Sequence, residues 1–293
     1  MKLTSLYRLV KNIKKIYDSF IPFFMQDLIL KKLNCRTLSQ IEFHIVDHCN
    51  LNCAHCDNFT PVSPEWYADV DKVINDFKQL SKIYNNIENI YILGGEPLLH
   101  PNLLDFMEPL RNIYPKANIV LLSNGLLLSK QQDSFWDCLK KYNISLSMTK
   151  YPINVDYDAI LKKCENLGIK SFLFAAERFG MYDIKLNYKG ASNVNCSYEI
   201  CSRKKCHVLR DGKLYHCTFV PNIKFINEYF NLDFKVENSD YIDIYKETSI
   251  SKINKFLSKS IPFCRYCPEK MPNCVEYSHS KKEITEWVDE TTL

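Results

Sequence analysis

Three cysteines, Cys49, Cys53 and Cys56, occur at C-x3-C-x2-C spacing in the run His48-Cys49-Asn50-Leu51-Asn52-Cys53-Ala54-His55-Cys56. Thiolates gathered on one short loop suit soft metal centres, and three of them can each hold one iron of a cubane 4Fe-4S cluster. A cubane has four irons, so one corner would lack a ligand from this loop and stand open for chemistry. Zinc is the alternative, with His48 or His55 as a fourth ligand, but zinc spacings usually come as two C-x2-C halves. The third reading is that these are small apolar residues of a core.

Such a loop needs a rigid support. From residue 40 the chain alternates between short β-branched runs and longer runs of helical period, the pattern of parallel βα units. Strands are predicted at Ile41–Val46, Asn89–Leu93, Asn118–Leu122, Tyr142–Met148 and Lys170–Phe174, with a weaker one at Ile184–Asn187. Helices are predicted at Val70–Tyr84, Asn102–Tyr114, Ser129–Lys141 and Asp156–Leu167. Parallel barrels carry their functional groups at the C-terminal ends of the strands. The cysteine loop leaves the first strand, Gly94-Gly95-Glu96-Pro97 leaves the second, and Ser123-Asn124-Gly125 leaves the third. Gly94 and Gly95 permit close backbone approach. Asn-Gly is also an ordinary turn dipeptide, so Ser123 and Asn124 carry both readings. The fourth strand alternates so that Asn143, Ser145, Ser147 and Thr149 form one polar row, with Ser147 and Lys150 at the mouth.

The C-x3-C-x2-C loop after a first strand, followed by Gly94-Gly95-Glu96-Pro97 after a second, resembles the signature of the radical S-adenosylmethionine (radical SAM) superfamily. The resemblance implies an α/β fold, a partial (β/α)6 TIM-like barrel. It implies that the open iron is chelated by SAM, whose reductive cleavage gives a 5′-deoxyadenosyl radical that takes a hydrogen atom from the substrate. The protein's share is orientation, electron access and exclusion of side reactions. By the same resemblance, the loop Gly94, Gly95, Glu96 and Pro97 serves the SAM amino group, Ser123 and Asn124 its carboxylate or ribose, and Ser147 faces the same lumen. A flavodoxin or ferredoxin is the implied electron donor.

A second cysteine group follows: Cys196, Cys201, Cys206, Cys217, Cys264, Cys267 and Cys274. Between Cys206 and Cys217, Asp211-Gly212 is a two-residue hairpin signal with alternating flanks. Pairing about it sets Leu209 against Leu214 and Cys206 against Cys217, with Cβ atoms about 5 Å apart. Cys264 and Cys267 form a C-x2-C pair. The arrangement resembles the twitch domain, a shortened SPASM domain, which implies an auxiliary 4Fe-4S cluster on Cys206, Cys217, Cys264 and Cys267. A zinc knot is the alternative. Cys196 and Cys201 also stand at plausible distances upstream of Gly212, and family spacing alone favours Cys201 over Cys206; the cross-strand geometry selects Cys206. Two departures stand out. Ser278 occupies the place of a further SPASM cysteine, and Thr218 follows the hairpin cysteine where sulfatase-maturating relatives carry an aspartate.

The expected organisation is an N-terminal amphipathic extension over 1–39, a barrel over 40–195 and a cysteine-rich region over 196–293. In the extension Leu6, Leu9, Val10 and Ile13 share a helical face, and lysines and arginines interrupt any secretory or membrane-spanning run. Thirteen cysteines, an odd number, in a chain of 293 residues without such a run fit a reducing, cytoplasmic setting better than disulfides. A net charge of +4 from interspersed charges gives no field for nucleic acid. Two substrate classes remain: a small molecule such as a sugar or alcohol, oxidised or epimerised, and a peptide precursor. A peptide-modifying enzyme often carries a leader-binding domain, for which the residues before the first strand are too few. A non-catalytic zinc module is the third reading. Glu177 and Arg178, beyond the fifth strand, are read as substrate contacts or a surface pair.

Overall fold

The computed structural model describes residues 22–32, 36–175 and 181–293. The N-terminal stripe at Leu6–Ile13 and the Glu177–Arg178 pair lie outside these residues.

In chain order the elements are α1 (Phe23–Lys32), β1 (Thr37–Val46), α2 (Val70–Ile83), β2 (Asn86–Gly94), α3 (Met107–Ile113), β3 (Asn118–Ser123), α4 (Asp133–Lys141), β4 (Ile144–Lys150), α5 (Tyr157–Leu167) and β5 (Ser171–Ala175). There follow β6 (Met181–Asp183), α6 (Val194–Ile200), β7 (Val208–Arg210), β8 (Lys213–Tyr215), α7 (Phe219–Phe230), β9 (Tyr241–Asp243), α8 (Ile250–Leu257) and β10 (Asn273–Val275). The main sheet runs β5-β4-β3-β2-β1-β7-β8-β9. Its first five strands are parallel, as a partial barrel requires.

Alternation along the strands decides what faces the helices. Ile41, Phe43 and Ile45, Ile90 and Ile92, Ile119 and Leu121, and Ile144, Leu146 and Met148 are all buried. Phe43 meets Phe77 of α2 edge-on at 4.9 Å between ring centroids. The opposite row is polar at its base, where Asn118 Nδ2 donates to Asn89 Oδ1 at 3.1 Å and Ser145 Oγ donates to Asn118 Oδ1 at 3.1 Å. The helices form for local reasons. Asp69 caps α2 by accepting from the Lys72 N–H at 2.9 Å, and Ile74, Phe77, Leu80 and Ile83 make its buried stripe. The helix predicted at Asn102–Tyr114 is divided into a 3-10 turn, Leu103–Phe106, and α3. Pro109 has no N–H to donate back into that turn, so α-helical bonding starts late.

The run predicted as the sixth strand, Ile184–Asn187, does not join the main sheet. Ile184 and Leu186 bury themselves against the C-terminal tail instead of β5: Leu186 bridges Val288, and its N–H donates to the Trp287 carbonyl at 2.7 Å. Just before them, β6 pairs antiparallel with β10. Among the described residues the sixth parallel place is taken by β7 instead, which pairs parallel with β1 at Glu42 and Val208 and carries the antiparallel β8 behind it in a hairpin. That hairpin turns on Asp211 and Gly212, with φ of 50° and 70°, as their types require. The boundary expected between 195 and 196 falls within α6. No helix among the described residues is long and apolar enough to cross a membrane.

Candidate active site

Cys49, Cys53 and Cys56 line one cavity of about 140 Å³ at the C-terminal mouth of the barrel, together with Gly94, Gly95, Pro97, Ser123 and Asn124. Burial pushes the Cys49 and Cys53 thiols up to about 12, and the Cys56 thiol also upward, with the neighbouring thiols adding to the first two. Coordinated iron is the kind of charge that reverses this preference and holds such sulfurs as thiolates. The donors around them suit thiolates as well. Leu51 N–H donates to Cys49 Sγ at 3.4 Å, Asn124 Nδ2 lies 3.7 Å from the same sulfur, and Thr60 Oγ1 lies 3.4 Å from Cys56 Sγ. Among the described residues, no three or more Cys, His, Asp or Glu side chains form a single-ion site.

The glycines of the second loop serve the first loop. A Cβ on Gly95 would stand 1.8 Å from the His48 carbonyl oxygen and 2.9 Å from the Cys49 nitrogen. On Gly94, with φ of 147°, it would stand 2.1 Å from the Val46 carbonyl oxygen. Both contacts are with backbone, so a methyl group on Gly94 must displace the end of β1 and one on Gly95 the start of the cysteine loop. Gly95→Ala is expected to cost roughly 1–3 kcal/mol by overpacking and to lower iron incorporation at the loop. Anaerobic reconstitution with iron and sulfide analysis checks this, and wild-type iron content in the alanine variant would refute it.

Glu96 and Ser147 do not line the cavity. The Glu96 carboxylate is 1 % exposed and braces the end of β3, accepting from Ser123 Oγ at 2.9 Å, Asn124 N–H at 2.8 Å and Leu98 N–H at 3.1 Å. Its oxygens are thereby committed to the chain. Ser147 lies one layer deeper on the polar row of β4, where Thr149, two residues on, reaches the cavity instead. Asn124 makes the turn through Oδ1, which accepts from Leu126 N–H at 3.0 Å, while Nδ2 donates to Asn50 Oδ1 in the cysteine loop at 2.7 Å.

Burial pushes the Glu96 carboxyl up from 4.5 to about 7, against the pull of its three donors. The folded chain thus holds this proton more tightly than the unfolded chain. The stability it supplies is complete below about 4.5 and is lost as pH rises through about 7. Glu96→Gln is expected to flatten the fall in denaturation midpoint across that window. Equal slopes for variant and wild type would contradict this.

The C-terminal tail covers the cysteine loop, a role with no sequence signal beyond the aromatic residues themselves. Ala54 N–H donates to the Ser278 carbonyl at 2.9 Å, Ser280 N–H to the Asn52 carbonyl at 2.8 Å, and Trp287 Nε1 to the Cys56 carbonyl at 3.1 Å. The stretch around Ser278, which stands in the place of a further SPASM cysteine, clasps the loop through its backbone.

Cys201, Cys217, Cys264 and Cys267 line a second, smaller cavity of about 50 Å³, and Cys206 is not among its lining residues. The hairpin register is as read, with Leu209 against Leu214, but the ladder stops at Val208 and Tyr215. A tight turn precedes it, closed by Cys206 N–H to the Arg203 carbonyl at 2.8 Å, and the Cys206 side chain hydrogen-bonds Glu42. Cys201 takes the place expected for Cys206. Burial raises the thiols of Cys217 to about 12 and Cys264 to about 11, and lifts Cys267 well above its ordinary value. Cys196 and Cys274 are exposed. Thr218 ties the groups together, donating to Asn58 Oδ1 at 2.9 Å while Asn58 Nδ2 donates to the Gly94 carbonyl at 2.9 Å.

Residues 43–185 match the family model of the radical SAM superfamily. The barrel of this chain belongs to the radical SAM superfamily. Members use a 4Fe-4S cluster and SAM, and the thiol-lined cavity offers the donor set such a cluster takes. Among curated proteins, a GTP 3′,8-cyclase of Alkaliphilus metalliredigens is 28% identical over 155 residues, 52% of this chain and 47% of that protein. A GTP 3′,8-cyclase of Thermodesulfovibrio yellowstonii is 31% identical over 119 residues, 38% of this chain and 35% of that protein. The chain thus spans about half or less of the length of these relatives. The crystal structure of BtrN in complex with AdoMet and 2-DOIA superimposes with a TM-score of 0.51 at 17% identity, covering 80% of this chain and 96% of that one. This radical SAM chain therefore shares a fold with BtrN from the barrel into the cysteine-rich region.

Proposed function

We propose that this radical SAM enzyme oxidises or epimerises a small polar molecule, a sugar or an alcohol. The bound cluster and SAM supply the hydrogen-abstracting radical. Cys49, Cys53 and Cys56 hold the cluster, the backbone of Gly94, Gly95 and Pro97 meets the amino end of SAM, and Ser123 and Asn124 meet its carboxylate or ribose. Asn124 also orders the cluster loop through Asn50. Cys201, Cys217, Cys264 and Cys267 hold an auxiliary 4Fe-4S cluster, their buried thiols fitting a soft metal centre. A flavodoxin or ferredoxin supplies the low-potential electron.

One observation carries the reading: the three thiols, the Gly94–Gly95 backbone and the Asn124 amide share a single cavity at the mouth of a parallel barrel. The small-molecule class is supported by the 2-DOIA that BtrN holds in the same fold, and by the polar row that Ser145, Ser147 and Thr149 present along β4. The test is anaerobic turnover with deuterated sugars, amino alcohols, GTP and peptides. Deuterium is expected in 5′-deoxyadenosine from a sugar or alcohol. Transfer from a peptide alone, or from GTP alone, would overturn the substrate class.

A further inference from the structure

Arg203 stands between the two cysteine groups. Its backbone N–H donates to Cys201 Sγ at 3.3 Å, and the residue lines the second cavity. Its guanidinium lies 5.6 Å from the centroid of the Phe219 ring and pairs with Asp57, the residue directly after Cys56. The Arg203 side chain is 13% exposed and that of Asp57 32%, so the pair is partly shielded from water on the Arg203 side. Beside it, Phe219, two residues after Cys217, stacks on Phe59, three residues after Cys56, with 5.5 Å between centroids and 19° between planes. Short stretches of chain from both cysteine groups thus meet at one ion pair and one ring stack.

We infer that the Asp57–Arg203 pair is a shared electrostatic element that sets the reduction potentials of the two cluster sites relative to each other. The inference rests on the reading that the second cysteine group holds an iron-sulfur cluster. A cluster gains negative charge on reduction, so a fixed cation beside it favours the reduced state and raises its potential, and a carboxylate does the reverse. Arg203 lines the second cavity, where its backbone N–H also holds Cys201 Sγ, and Asp57 adjoins the first group through Cys56. Arg203 is thus a positioning residue that holds charge at a fixed place between the sites.

The test is a redox titration of the full chain, reconstituted anaerobically and followed by electron paramagnetic resonance, with Cys264→Ala used to assign the second signal. Arg203→Met is expected to move the second cluster to lower potential. Asp57→Asn, which leaves the guanidinium uncompensated, is expected to move it to higher potential, and Arg203→Lys to hold it near the wild-type value. Two clusters whose potentials do not move, or that move in the same direction in Arg203→Met and Asp57→Asn, would overturn the inference alone. Iron and sulfide for a single cluster in the wild type would overturn the second-cluster reading, and the inference with it.

Discussion

Cys49→Ala, Cys53→Ala and Cys56→Ala are each expected to reduce 5′-deoxyadenosine formation from SAM under reducing conditions to the level seen without enzyme. The loss is total because, among the described residues, the three sulfurs are the only thiols lining their cavity. The backbone and hydroxyl donors around them, Leu51 N–H and Thr60 Oγ1, cannot replace a missing thiolate as an iron ligand. Iron content should fall by one cluster's worth in each variant while the second cluster persists, since its four cysteines line a separate cavity. The apo fold should survive, because the loop is also held by the C-terminal tail through Ala54, Asn52 and the Cys56 carbonyl. Product quantified by chromatography checks the expectation. Undiminished 5′-deoxyadenosine in all three variants would remove the proposed mechanism.

The second large effect is one of stability. Arg210 of β7 meets Asp47, at the end of β1, in a two-pronged pair: Nη1 to Oδ1 at 2.8 Å and Nη2 to Oδ2 at 2.7 Å. The residues are 6% and 3% exposed, and the guanidinium lies 4.3 Å from the centroid of the Trp66 ring. Joining positions 163 apart, the pair fastens the hairpin to the strand that launches the cysteine loop. Removing the cation alone strands a buried carboxylate, which typically costs about 3–5 kcal/mol. Arg210→Met should therefore lose about that much in anaerobic denaturant unfolding. The double variant Asp47→Leu with Arg210→Met should recover most of it, since a buried pair is often replaceable by apolar groups. A loss below about 1 kcal/mol in the single variant would show that the pair is not desolvated as its burial indicates.

The parts of this site that were legible in the sequence are those fixed by local spacing. C-x3-C-x2-C after an apolar run, two glycines after the next run and Asn-Gly after the third all mark strand ends, and β1, β2 and β3 end there. The Asp211-Gly212 turn and the register it sets were equally local. What escaped the sequence depends on contacts between distant segments. Register alone places Cys206 opposite Cys217, but the tight turn at Arg203–Cys206 directs its side chain to Glu42, and Cys201 lines the cavity beside Cys217. The spacing of the hairpin glycine and cysteine, which favours Cys201, carries the signal for it. Glu96 looks like a cofactor ligand until Ser123 and Asn124 arrive from another strand to claim it. The alternating run at Ile184–Asn187 has the period of a strand, yet burial against the tail satisfies it, and β7 takes the sixth parallel place beside β1.

The most direct measurement is electron paramagnetic resonance of the reduced Cys264→Ala, Cys267→Ala double variant, which isolates the first cluster, recorded before and after addition of SAM. A cluster with one iron free of cysteine should change its signal when SAM binds, and SAM labelled at its amino nitrogen should show coupling to that iron. A signal indifferent to SAM would mean that the iron at Cys49, Cys53 and Cys56 is already closed by a protein ligand, and the catalytic reading would fall.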